Sequence, residues 1–476
     1  MSDPALLSAA ELVAAYRARK LSPVEVTEAC FARLDHFNPD INAFINITRD
    51  EALAQARLSE ARWMKGEAIG LVDGVPTTIK DNIAQANMPR RNGSKITSDE
   101  PLSADGSTTR AMRAQGAVFL GRTTMPEFGW IGHCNSPLTG VTRNPWKLDR
   151  TTGGSSGGAA AACALSIGAL HLGTDGAGSI RIPASFTGVY GIKPTYGRVP
   201  TWPGSTFTVL AHHGPLTRNV SDAAMMMSVI SAPDERDIFA WNAPAQDYVG
   251  NLDKGVKGLR IAYSAKLGFV DNLDPEIEKA TREAARVFEQ LGAHVEEADP
   301  GFDDPYDVIA AMWFGGAATA AAGYPASLRD QHDPGFRAVI EASENMKATD
   351  FIAAYSGGRT ALLDVMNRFH ERYDLLLTPS MPIPAFEVGR DVPAGMKTRD
   401  SALAWLSWSP YSYPFNLTQQ PAASCPCGFT SDGLPIGLQI VAPKMRDDLV
   451  LQASRAFESA KPFKMPDGVP KSAPSH

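Results

Sequence analysis

The segment between Leu259 and Ala298 constrains the fold most. LRIAYS at 259–264 has the apolar character and length of a buried strand. Asp274-Pro275 then supplies an N-cap followed by a proline in the first turn. Ile277, Ala280, Ala284, Val287 and Leu291 return at the interval of one helix face until Gly292 stops the helix, and AHVEEA follows as a second strand. A strand, a helix and a strand this closely spaced form a βαβ unit, whose crossover lays the two strands parallel. The chain therefore reads as α/β.

Other stretches extend this pattern. Ala117–Gly121 and Ala169–Gly173 are short apolar runs of strand length, and the alanine-rich stretch after Gly158 precedes the second as a helix would. DLLLTPS (374–380) and IGLQIVA (436–442) carry strands almost to the C-terminus. Near the N-terminus, Ser22-Pro23-Val24-Glu25 has the form of a capping box, with Val26, Cys30, Leu34 and Phe37 behind it, so a helix is expected from Ser22 to about Phe37. GLVDGVPTTIKDN (70–82) reads as a strand on which Thr78, Lys80 and Asn82 share one face, with Lys80 among apolar neighbours. Polar or proline-rich connections fall at 231–258, 298–307 and 380–397, and a loose tail after Lys461. None is a clean domain linker, and no internal repeat is present, so residues 1–476 read as one domain despite a length that could hold two or three.

Charge and cysteine usage exclude several classes of function. Forty-five basic residues against 52 acidic ones give a net charge of −7 without long like-charge runs, so nucleic acid is not an expected partner. MSDPALLSAAELVAAYRARK lacks a basic leader followed by an apolar block, and no apolar run approaches a membrane span. The expectation is a cytoplasmic protein that does not engage a membrane. Five scattered cysteines (Cys30, Cys134, Cys163, Cys425, Cys427) do not suggest disulfides in a chain this long. Cys425 and Cys427 are expected on one face of a strand, and no second Cys or His cluster accompanies them to make a zinc site.

TTGGSSGGAA at 151–160 sets two serines between glycine pairs. A flexible linker would have polar flanks, whereas this one runs into an apolar helix. A phosphate loop would show G-K-[ST] after the glycines, or G-x-G-x-x-G after a strand. Gly153–Gly157 does spell the nucleophile elbow G-x-S-x-G, but NPWKLDRTT before it puts breakers and charges where a buried strand should be. A second small-residue stretch, Gly173–Arg181, follows a strand and precedes a short helix that Gly188 closes. Its N–H groups can converge on a developing oxyanion, and a nucleophile at Ser179 would be well placed.

Lys80 in GVPTTIKDN, GGSSGG at 153–158 and GTDGAGSIRIPASFTGVYGIKPT at 173–195 together resemble the amidase signature family, and 24 residues separate Ser155 from Ser179, the family's spacing for its two working serines. TRNPW (142–146), GPLTRNVSDAA (214–224) and GLPIGLQIVAP (433–443) are similar to further parts of that family, so the resemblance spans most of the chain. It implies a large mixed β-sheet covered by α-helices on both faces, with the catalytic core at about 70–220. It also implies a Ser–Ser–Lys triad: Ser179 the nucleophile that forms an acyl-enzyme, Ser155 the relay and Lys80 the proton acceptor, with Ser156 a structural neighbour. A cis peptide before Ser155, an oxyanion site from the N–H groups of Gly176, Ala177, Gly178 and Ser179, and a homodimer are implied as well. One departure stands out, because the family commonly has glycine where this chain has Ala177. If that position needs φ > 0, alanine is strained unless the flanking glycines absorb the turn.

The chemistry sets one condition. A serine hydroxyl needs a base, and a lysine with an ordinary pKa near 10.4 is protonated at neutral pH. Bringing it to about 7 requires burial, which delivers shifts of about 3 to 5 units. Asp81 would undo this unless strand alternation turns it away from Lys80. His212 and His213 are expected in a loop or packing role, and Met225–Met227 in a core helix. Trp130, Trp202, Phe207, Trp405 and Trp408 are candidates for an apolar acyl or aryl pocket or for core packing.

The expected activity is hydrolysis of a carbon–nitrogen bond in a small, uncharged, partly apolar amide, with no metal or organic cofactor. The alternatives are a carbamate or aryl-anilide hydrolase, the glutaminase component of a tRNA-dependent amidotransferase, and, from another class, an α/β-hydrolase-type esterase using Ser155 and a histidine. A catalytically silent binding module is the third class.

Overall fold

In a computed structural model that describes residues 3–241 and 243–468, eleven strands form one mixed sheet. In spatial order the strands are Phe44–Ile47, Val118–Thr123, Pro76–Lys80, Leu170–Asp175, His212–Thr217, Tyr190–Lys193, Ala422–Phe429, Pro435–Val441, Leu375–Pro379, Arg260–Tyr263 and His294–Glu297. Pro76–Lys80 is parallel to both of its neighbours. Arg260–Tyr263 is likewise parallel to both of its own. The strands between these two groups pair antiparallel. The βαβ unit is present as Arg260–Tyr263, the helix Pro275–Gln290 and His294–Glu297, with Asp274 capping the helix through its side chain.

Alternation along the strands buries both faces of the sheet. Ile261 and Tyr263 enter one core while Ala262 enters another, and Leu375 and Leu377 divide from Leu376 in the same way. The first core is closed by helices that include Pro23–Ile41, Val220–Ile230, Pro275–Gln290 and Asp447–Ala460. The second lies under Tyr306–Ala322, Pro334–Ser343 and Arg359–Arg372, with the aromatic run through Trp405, Trp408 and Tyr411. A smaller cluster joins Gly157–Ala164 to Arg181–Thr187 through Ala160, Ile180 and Ala184. This is the α/β architecture expected, a mixed sheet with helices on both faces.

Several boundaries differ from the sequence reading. The first long helix continues past Phe37 to Ile41, with Pro39 inside its last turn and Asn42 closing it in a left-handed conformation. The segment 70–82 is a strand only over Pro76–Lys80, because turns occupy the glycine-flanked residues before it. His212 and His213 lie in the strand His212–Thr217 and not in a loop. Met225–Met227 sit in the buried helix Val220–Ile230. All five cysteines are buried free thiols, with Cys425 and Cys427 on Ala422–Phe429. The tail after Lys461 falls partly outside the described residues.

Candidate active site

Three chain segments converge where Pro76–Lys80 ends. Ile79 points into the first core, so Lys80 leaves the opposite face of the same strand. Its side chain is fully buried. Lys80 Nζ lies 2.6 Å from Ser155 Oγ, 2.9 Å from Ser156 Oγ and 2.8 Å from Thr174 Oγ1. Hydroxyls, and not the apolar neighbours expected, therefore surround the amine. Asn82 Nδ2 donates to Thr174 Oγ1 from the far side at 3.1 Å.

Burial pushes the Lys80 ammonium down to about 7, against small opposing pulls from Cys134, Asp175 and Asp81. Asp81 stays a weak influence because it is occupied elsewhere. It lies just past the strand end, accepts from Gly93 N at 2.8 Å and pairs with the buried Arg122 at 3.4 Å. The separation of Asp81 from Lys80 is thus secured by Arg122 as much as by alternation.

The serine segment turns so tightly that glycine is required. A Cβ on Gly154 would stand 2.1 Å from the His133 carbonyl oxygen, and the Gly154–Ser155 peptide is cis. The strand before it, Lys147–Thr151, belongs to a separate two-stranded sheet with Arg143–Asn144. Ser155 therefore does not sit on a nucleophile elbow at the end of a main-sheet strand. Its hydroxyl is bonded to a lysine and to no histidine among the described residues.

The second small-residue segment leaves Leu170–Asp175 and enters the helix Arg181–Thr187, which Gly188 ends at φ +70°. The buried Asp175 holds the turn. Its carboxylate accepts from Gly178 N at 2.7 Å and Ile180 N at 3.2 Å, and pairs with Arg181 at 3.0 Å. Burial alone would raise the Asp175 carboxyl, but Arg181, Lys193 and Asn416 draw it below the ordinary carboxylate range. Gly178 takes up the left-handed conformation at φ +126°, so Ala177 does not need it. A Cβ on Gly178 would lie 2.5 Å from Ser412 Oγ.

The expected oxyanion donors need one correction, since the Gly178 N–H is committed to Asp175. The N–H groups of Gly176, Ala177 and Ser179 have no acceptor among the described residues. Ser179 itself is held through its carbonyl, which accepts from Ser156 N at 3.1 Å.

Ser155, Ser179, Thr174 and Gly176 line a single cavity of about 180 Å³. Phe207 also lines it, its ring tilted against Trp313, another wall residue, with 4.3 Å between centroids. Trp130 and Trp202 do not. Trp130 is packed behind the wall, where its carbonyl accepts from Trp313 Nε1 at 3.0 Å. Trp202 lies beneath Arg236, whose guanidinium is 3.9 Å from the ring centroid, and only the following Pro203 reaches the cavity. Trp405 and Trp408 belong to the second core.

The sequence reading missed Phe128, Trp313, Tyr324 and Arg90, all in the cavity wall. Trp313 lies on Tyr306–Ala322, a helix apolar on every side that shows no stripe to find; the one signal was a large aromatic among alanines and glycines. Phe128 adopts φ +48°, and Glu127 beside it is fully buried, accepting from His332 Nδ1 at 2.9 Å and Asp333 N at 2.6 Å. His213 lines the cavity too, and burial together with Lys80 pushes its imidazolium down to about 4.

The arrangement sets two serines in one cavity wall, a buried amine against Ser155 and unengaged N–H groups on the segment that carries Ser179, the parts that acyl transfer requires. Comparisons with known proteins agree. A family model described as Amidase matches residues 25–451. The chain is 36% identical over 466 residues to an acylamidase of Rhodococcus erythropolis, covering 96% of each sequence. It is 33% identical to the A component of the glutamyl-tRNA(Gln) amidotransferase of Myxococcus xanthus, covering 96% of this chain and 98% of that one. The solved structure of a bacterial aryl acylamidase of the amidase signature family superposes with a TM-score of 0.89 at 32% identity, covering 96% of both chains. With the motifs, the sheet and nearly the whole length in agreement, this chain belongs to the amidase family, hydrolases of carbon–nitrogen bonds in amides.

Proposed function

We propose that the protein hydrolyses a small, partly apolar amide through an acyl-enzyme on Ser179, with Ser155 relaying the proton and Lys80 accepting it. The observation that carries this reading is the buried Lys80 amine 2.6 Å from Ser155 Oγ with its pKa lowered to about 7. Hydrogen-bond counting supports the direction of transfer. A neutral amine has two N–H donors and one lone pair. Ser156 gives its own proton to the Thr174 carbonyl at 3.1 Å, so toward Lys80 it accepts. Thr174 Oγ1 already accepts from Asn82 and serves as the second acceptor. The lone pair is then directed at the Ser155 hydroxyl.

Ser155 deprotonated in this way draws the Ser179 proton as Ser179 attacks the amide carbon. The N–H groups of Gly176, Ala177 and Ser179 are suited to receive the charge that develops on the carbonyl oxygen. The proton held by Lys80 returns through Ser155 to the leaving nitrogen, and water then cleaves the ester by the same route. Phe207, Trp313 and Phe128 favour an apolar body beside the scissile bond. The same reading has the enzyme acting as a homodimer, as the resemblance implies, and in the cytoplasm, as its N-terminal sequence suggests.

A panel of simple amides, anilides and carbamates, assayed with the purified chain, tests the proposal. Ser179→Ala and Lys80→Ala are each expected to lose turnover while folding normally. Retained turnover in a folded Ser179→Ala protein overturns the mechanism. A second reading, the glutaminase component of a tRNA-dependent amidotransferase, is favoured by the similarity to the Myxococcus xanthus protein. Turnover by the chain alone, with no co-purifying protein, decides against it.

A further inference from the structure

Among the described residues, Arg90 is the only basic side chain other than His213 in the cavity wall, and no carboxylate lines that wall. The neighbouring Arg91 is treated differently by the same loop: it pairs with Asp99 and donates to Thr97 at 3.1 Å. Arg90 forms no ion pair or hydrogen bond among the described residues. It shares its part of the wall with Phe128 and Tyr324, whose rings are 5.7 Å apart. Its charge reaches Tyr324, holding back part of the rise that burial imposes on that phenol.

The Glu127 carboxylate also acts on Tyr324, but it is engaged by His332 and the Asp333 N–H, so the Arg90 guanidinium keeps its donors free for an anion in this partly aromatic cleft. Its planar fork matches a carboxylate through two parallel hydrogen bonds. His213 does not compete, because its imidazole is neutral at pH 7. In a chain with net charge −7, attraction of an anion into this cleft must come from a local group and not from the overall field.

The geometry points to Arg90 as a specificity-determining residue that binds a carboxylate on the substrate, remote from the scissile bond, so that the preferred substrates are amides carrying an acid group at their far end. This rests on the amidase reading above and refines its expectation of an uncharged substrate. The amide and its apolar neighbours remain uncharged, and the acid group lies at Arg90.

Two matched pairs of probes test the assignment. Glutaryl-4-nitroanilide against pentanoyl-4-nitroanilide places the acid on the acyl side, and 4-(pentanoylamino)benzoate against pentanoylanilide places it on the amine side. The wild-type kcat/KM should favour the acid member of at least one pair by about tenfold or more, the worth of one charge-assisted pair in a partly desolvated site. Arg90→Gln should abolish that preference and Arg90→Glu should reverse it. Lys95→Gln, which removes an exposed cation from the same loop, should leave the ratio unchanged.

An acid preference that is absent from both pairs, or that survives Arg90→Gln, overturns the assignment. Calorimetric binding of glutarate to the Ser179→Ala protein, with and without Arg90→Gln, keeps the question separate from catalysis. Arg90-dependent binding without turnover would sink the amidase mechanism and retain the subsite. Turnover of the neutral probes without Arg90-dependent binding would do the opposite.

Discussion

Burial of Lys80, which brings its ammonium down to about 7, bears on stability as well as on rate. In the unfolded chain its pKa is near 10.5, and burial takes it to about 7, a fall of about 3.5 pH units. At 1.36 kcal/mol per unit, keeping this amine buried costs the folded state about 5 kcal/mol wherever both states would otherwise be charged. Below pH 7 both states hold the proton and the penalty is complete. Between 7 and 10.5 the unfolded chain binds more protons than the folded one, so stability rises with pH by about 1.4 kcal/mol per unit. Above 10.5 neither state holds the proton and the penalty is gone. Lys193, a second buried lysine whose ammonium burial pushes well down, contributes a rise of stability with pH of the same sign.

The quantity to measure is therefore the difference between wild type and Lys80→Met in urea denaturation at pH 7, 8 and 9. The variant loses the hydrogen bonds to Ser155, Ser156 and Thr174 at every pH, but only the wild type gains stability from deprotonating residue 80. Relative to Lys80→Met, wild type should gain about 2 kcal/mol between pH 7 and 9. In parallel, wild-type kcat/KM should rise tenfold per unit below pH 7 and level off above it. A stability difference that stays constant with pH, or an activity limb with its midpoint near 10, would refute the argument that the amine is uncharged.

Two further substitutions probe the turn that carries Ser179. Asp175→Asn leaves the Arg181 guanidinium buried without its counter-charge and should cost about 3 to 5 kcal/mol of stability in denaturant titration; a loss under 1 kcal/mol would mean that Asn416 and Gln439 suffice to hold it. Gly178→Ala places a Cβ 2.5 Å from Ser412 Oγ at φ +126°, and should lower stability by more than about 1 kcal/mol and reduce kcat, which thermal unfolding and turnover of one amide would show.

The sequence marked much of the fold because its local signals agree with its tertiary use. The Asp274-Pro275 cap, the five apolar positions after it and Gly292 specify a helix that the sheet then accepts unchanged. The helices between Tyr306 and Arg372 were not legible in that way. Tyr306–Ala322 is buried on several sides, and a helix without a polar face has no periodicity to read. The strand His212–Thr217 was hidden by its histidines, glycine and proline, residues tolerated there because neighbouring strands satisfy them.

What the sequence offered by itself was a set of candidate groups: one lysine in a strand, two serines 24 residues apart in glycine-rich segments, and an α/β framework to carry them. Their resemblance to the motifs of the amidase signature family picks them out, since any chain this long holds other serines and lysines in comparable local settings. Only the tertiary structure decided that burial brings Lys80 down to about 7, that Gly178 spends its N–H on Asp175, and that Arg90, Trp313 and Phe128 line the cavity while Trp130 and Trp202 do not. Desolvation and cavity shape are sums over segments hundreds of residues apart, and no local stretch of sequence contains them.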